Sequence, residues 1–97
     1  MEDALHTVHN WASHGTLRQF HTEVSAKIAE EGYEVEIEGD TLTCYRVHKE
    51  GGFLGIGTRK IKDTVLKVIG EGANLQMPKD SADEEFVLFL ASKLRQH

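Results

Sequence analysis

Six histidines are the residues of this chain best suited to chemistry, and four of them (His6, His9, His14 and His21) fall within its first quarter. His6 and His9 stand three residues apart, a spacing that puts two imidazoles on one face of a helix, where they could ligate zinc. A structural zinc site wants four ligands and usually cysteine. The one cysteine, Cys44, lies thirty-five residues beyond His9. No metal site is expected, and the histidines read as ordinary helix residues, with at least one of His6 and His9 partly packed. Cys44 falls in a strand pattern and reads as a small buried apolar residue rather than a thiolate nucleophile. No serine stands in a glycine elbow, so a hydrolase triad has no starting point. Glu34, Glu36 and Glu38 alternate with Tyr33, Val35 and Ile37, so the three carboxylates share one strand face and read as a solvated row. No catalytic residue and no cofactor are expected, and the chain is not read as an enzyme.

Binding is the alternative, and one tract concentrates it. Gly51-Gly52-Phe53-Leu54-Gly55-Ile56-Gly57 sets four glycines among three large apolar residues. Glycine serves where the backbone needs positive φ or another group must come close. Exposed apolar residues on such a loop are unfavourable unless they fold back or meet a partner. Phe53, Leu54 and Ile56 are therefore the candidate partner-binding residues. Arg46, Lys49, Arg59, Lys60 and Lys62 flank the tract and form a candidate basic patch. Gly52-x-x-Gly55 matches the form of a nucleic-acid-gripping loop, but its inner residues are Phe53 and Leu54 where basic or polar ones belong.

Gly55-Ile56-Gly57-Thr58-Arg59-Lys60-Ile61-Lys62 resembles the glycine-plus-paired-base entry to the last helix of double-stranded-RNA-binding domains. The words Gly-Phe-Leu-Gly-Ile-Gly are similar to a tract in the N-terminal domain of Jag-type RNA-associated proteins. This second likeness covers about residues 48–61.

Charge is unevenly spread. The formal net charge is −5, yet residues 1–40 carry nine acids against Arg18 and Lys27, whereas residues 41–67 carry six bases against Glu50 and Asp63. An acidic total does not suit a general nucleic-acid binder, while the basic middle keeps that alternative open. If the basic and acidic rows lie on neighbouring strands, an intramolecular ladder of opposite charges is the simplest outcome. A lone cysteine fits a reducing compartment, and no apolar run approaches the ~20 residues of a membrane span. With acids at positions 2 and 3 and no apolar leader pattern, the expectation is a cytoplasmic protein without membrane contact.

The elements that must position these groups are legible in outline. Residues 3–12 read as a short amphipathic helix, and residues 17–31 as a second, started by a Thr16/Gln19 capping box and stopped at Gly32. Residues 33–38 and 41–48 read as strands joined at Gly39-Asp40. Residues 58–69 fit both period two and a helix; strand is favoured because β-branched residues dominate. Residues 73–78 would make a short edge strand ended by the one proline. A last helix should begin from a Ser81/Glu84 capping box and bury Phe86, Val87, Leu90 and Leu94, with Phe89 widening that face.

The fold expected is α+β: one domain over 1–97, a two-layer sandwich of an antiparallel three- to four-stranded meander with N-terminal helices and a C-terminal helix (α-α-β-β-β-β-α). The function expected is a small binding protein that self-associates, or binds a protein partner, through the open sheet face or the 51–57 loop. A nucleic-acid module using residues 46–62 is one alternative. A small-ligand protein, with a pocket between helix and sheet near His21 or Tyr45, is the other.

Overall fold

The computed structural model describes residues 2–51, 57 and 59–95. Phe53, Leu54 and Ile56 lie outside the described residues. The order is α1 (Glu2–Ser13), α2 (Leu17–Ile28), β1 (Tyr33–Glu38), β2 (Thr41–Glu50), β3 (Arg59–Ile69) and α3 (Glu84–Arg95), with 3-10 turns at Gly72–Asn74 and Lys79–Ser81 before α3. The three strands form one antiparallel sheet in the order β1-β2-β3.

Local chemistry explains the boundaries. Thr16 Oγ1 accepts from the Gln19 N–H at 3.1 Å while Gln19 Oε1 accepts from the Thr16 N–H at 2.9 Å, the reciprocal capping box expected for α2. That helix ends at Ile28, and Gly32, with φ +83°, turns the chain into β1. Gly39, at φ +61°, makes the tight turn between β1 and β2, whose register pairs Glu38 with Thr41.

The segment that fitted two periods is a strand. Cys44 pairs with Leu66 but Tyr45 pairs with Thr64, so Val65 is an extra residue in β3. The bulge turns Val65 inward beside Leu66, and both are buried along with Val68. Two neighbouring buried residues imitate helical spacing, which is why the pattern fitted either element.

Residues 73–78 are not an edge strand. Gly72–Asn74 is a 3-10 turn, and only Gln76 bridges to Ile69, through bonds of 2.7 and 2.8 Å. The start of α3 also differs from expectation: Ser81 lies in a 3-10 turn, and Asp83 caps the helix by accepting the Phe86 N–H at 3.0 Å.

Alternation puts Tyr33, Val35, Ile37, Leu42, Cys44, Leu66 and Val68 on the face that packs under the helices. Val8, Phe20, Val24 and Ile28 from α1 and α2, and Phe86, Val87, Leu90 and Leu94 from α3, complete one continuous core. Tyr33 stacks edge-on to Phe86 at 4.8 Å and lies 5.4 Å from Phe89. The helices cover one side of the sheet, and no described helix is long and apolar enough to cross a membrane.

Candidate binding surface on the uncovered sheet face

The side of the sheet away from the helices carries three rows set by strand alternation. Glu34, Glu36 and Glu38 line β1; Thr41, Thr43, Tyr45, Val47 and Lys49 line β2; Lys60, Lys62, Thr64 and Lys67 line β3. Each row occupies one strand, so beside β1 the face runs from acidic to neutral to basic across its width, and the neutral row ends at Lys49 on the part of β2 beyond β1.

The bases reach over the middle strand to the acids. Lys62 Nζ lies 3.0 Å from Glu36 Oε2 and 3.5 Å from Glu34 Oε1, and Lys60 Nζ is paired with Glu34. Lys62 also stands 5.4 Å from the centroid of the Tyr45 ring. The Lys60 ammonium, hydrogen-bonded to the Glu34 carboxylate, holds that carboxyl below its ordinary range, with burial opposing and Lys62 adding to the effect. The Glu36 carboxylate in turn holds the Lys62 ammonium above its ordinary range. These pairs roof the centre of the face, and Thr43 is only 9% exposed although no helix covers it.

Beyond the Val47 N–H, which donates to the Gly32 carbonyl at 2.9 Å, β2 and β3 continue without β1 beside them, although Lys60 and Lys62 reach back to its acids. The last rung of β1 pairs Tyr33 with Arg46, whereas β2 and β3 stay paired through Val47–Lys62, His48–Ile61, Lys49–Lys60 and Glu50–Arg59. Four rungs extend the ribbon by about 13 Å. The molecule is correspondingly long, 50 × 27 × 25 Å, with a radius of gyration of 14.3 Å; about 12.5 Å suits a compact chain of this length.

The candidate basic residues do not converge as free cations. Arg46 pairs with Asp83 at 3.1 Å on the helix side, and Arg59 approaches Glu50 at 3.8 Å on the arm. Lys60 and Lys62 are held by the acidic row. Lys49 alone of the five has no carboxylate partner among the described residues.

Histidines serve as braces. His9 donates to the Leu75 carbonyl at 3.2 Å and His21 to the Val35 carbonyl at 3.1 Å, tying α1 and α2 to distant segments. His48 bonds Asp63 at 3.0 Å across the β2–β3 arm. Among the described residues no three metal-capable side chains converge. Burial pushes the Cys44 thiol up to about 12.

His21 and Tyr45 lie on opposite sides of the sheet and share no pocket. A groove of about 980 Å³ opens elsewhere, between α1, α2 and the end of α3, with Trp11, Phe20 and Leu94 beside Glu23, His14 and Arg95. The Trp11 indole N–H donates to Glu23, and Arg95 donates to Thr7 Oγ1 at 2.9 Å. Sequence reasoning missed this groove because residues from three separate helices build it. No protein-family model, curated protein or solved structure matches the chain.

Proposed function

We propose that the protein is an interaction module that works by binding another polypeptide, with the uncovered sheet face and the β2–β3 arm as its contact surface. The observation that supports this reading is the arm. Four rungs of paired strand extend beyond β1, and His48, Lys49, Glu50, Arg59 and Lys60 on it are exposed. An isolated two-stranded ribbon is marginal in water, so core folding gives no reason to keep this one. Contact with a partner supplies the reason. The connection between the arm strands contains Phe53, Leu54 and Ile56, apolar residues suited to the centre of an interface.

Replacing residues 49–60 with Asn-Gly tests the reading. The shortened protein should keep its circular dichroism and lose the association of the full chain, followed by sedimentation equilibrium. A shortened protein that unfolds, or that associates like the full chain, removes the arm from the function.

The groove favours a second reading, binding of a small ligand beside Trp11. Trp11 is the one tryptophan, so its fluorescence reports occupancy directly. A saturable change lost in Arg95→Ala, but retained in the arm-shortened protein, would favour the groove over the arm. The nucleic-acid alternative is weakened by the carboxylate partners of Arg46, Arg59, Lys60 and Lys62.

A further inference from the structure

We infer that the partner of the uncovered sheet face is a second copy of this chain, docked about a two-fold axis that runs along β2. The inference rests on the interaction reading above and goes further by fixing both occupant and geometry. It follows from the order of charge across the face: acids on β1, neutral residues from Thr41 to Val47 on β2, bases on β3. Among the described residues, every ion pair across this face, Lys60–Glu34, Lys62–Glu34 and Lys62–Glu36, therefore points the same way.

Two such faces can meet by a two-fold in only two simple ways. An axis across the strands stacks acids on acids and bases on bases, which is repulsive. An axis along the strands exchanges left and right, so each Glu row lies over the other copy's Lys row. The ion-pair dipoles then stack antiparallel, and the lysine row of each copy gains the carboxylates of the other. The face is self-complementary under that one operation, as an isologous dimer requires.

The axis also brings the neutral middle row of each copy, Thr41 to Val47, against its equivalent, and leaves Lys49 beside Lys49 at the arm. Tyr45 and Val47 are both half-buried in the single chain, and they supply the apolar centre of the contact. The arm lengthens the same face, so shortening it removes contact area, and Lys60 from the basic row, without touching the core. A face three strands wide is small for a stable dimer, so association belongs in the micromolar-to-millimolar range.

Paired charge-row variants test the geometry. Glu34→Lys/Glu36→Lys makes both outer rows basic, and Lys60→Glu/Lys62→Glu makes both acidic. Sedimentation equilibrium up to ~1 mM should show association of the wild type. Each row variant alone should be weakened about 100-fold or more. An equimolar mixture of the two should recover a heterodimer, because each presents the rows that the other lacks. The four-fold exchange Glu34→Lys/Glu36→Lys/Lys60→Glu/Lys62→Glu restores rows of opposite sign and should associate like the wild type. It also controls for folding, since it keeps the internal pairs in reversed order.

A wild type that stays at single-chain mass overturns the inference, and so does a mixture with no heterodimer when both variants are folded. Row variants that associate as well as the wild type also overturn it. If the arm-shortened protein then fails to associate, the interaction reading survives on another surface. If the arm-shortened protein associates like the wild type while the row variants behave as expected, the arm is dismissed and the sheet face stands.

Discussion

Asp83 joins three elements through one residue. Its backbone N–H donates to the Val65 carbonyl at 2.7 Å, and its carboxylate accepts from the Phe86 N–H at 3.0 Å and from Arg46 at 3.1 Å. The carbonyl is that of the bulged residue, which the strand ladder leaves over. Asp83→Ala should cost about 1–2 kcal/mol for the lost cap, whereas Asp83→Ser keeps a capping oxygen and should cost less; urea unfolding separates them. Gly70 and Gly39 offer a paired test of backbone geometry. Both have positive φ, +84° and +61°, but an added Cβ at Gly70 would stand 2.9 Å from the Asn74 carbonyl oxygen, while at Gly39 it meets open space. Gly39→Ala should cost about 1–2 kcal/mol for conformation alone, and Gly70→Ala should cost more by the same assay. Equal losses would mean that the Asn74 turn yields freely. The sequence pointed to a capping box here but to Ser81, because serine three residues before Glu84 fits the pattern as well as Asp83 fits the geometry. Only the long-range Asp83–Val65 and Asp83–Arg46 contacts decide between them.

At the scale of elements, the two N-terminal helices, the β1–β2 hairpin and α3 were legible because each carries its own periodicity and stop signals. Residues 73–78 were misread, since a short mixed run before Pro78 looks extended when its partner is not known; a single bridge from Gln76 is all that β3 accepts. The β2–β3 hairpin was legible as two strands, but not as an arm, because its projection depends on where β1 ends. Its physical consequence is uneven stability along one ribbon. The inner rungs, Thr41 to Cys44 against Leu66 to Ile69, lie over buried Leu42, Leu66 and Val68. The outer rungs from Val47 to Glu50 and Arg59 to Lys62 have mostly exposed side chains. Local opening follows such differences in packing. Amide hydrogen exchange in dilute protein should therefore be faster at the ladder amides of residues 47–50 and 59–62 than at those of 41–44 and 66–69. It should slow at the outer rungs as concentration rises, if the arm is buried in assembly. Exchange that is uniform along the ribbon would show the arm to be stable by itself.

The whole molecule is organised by charge as much as by packing. Alternation in the sequence predicted an acidic row and a basic row, yet it did not reveal that the rows flank a neutral strand and reach across it. That depends on the order β1-β2-β3 and on lysines long enough to span Tyr45. The pairing makes stability depend on pH in two separate windows. Glu34 has a carboxyl lowered from 4.5, so its contribution is fully present above that value and is lost as pH falls through the lower folded value. Lys62 has an ammonium raised from 10.5, so its contribution is present below that value and is lost as pH rises through the higher folded value. Between the two limbs, neither group changes charge. Thermal midpoints measured from neutral pH into the acid limb should fall in the wild type, and Glu34→Gln should fall less steeply over the same interval, because its side chain binds no proton. Parallel curves would detach Glu34 from the acid limb and leave the fall to other carboxylates. Association about the β2 axis depends on Glu34 as well, so sedimentation in that window should show the assembly weakening as Glu34 is neutralised. Added salt at neutral pH should weaken assembly by screening, while the buried core keeps the chain folded. Acid dissociation without any salt effect would separate the contact from charge and return it to Tyr45 and Val47 alone.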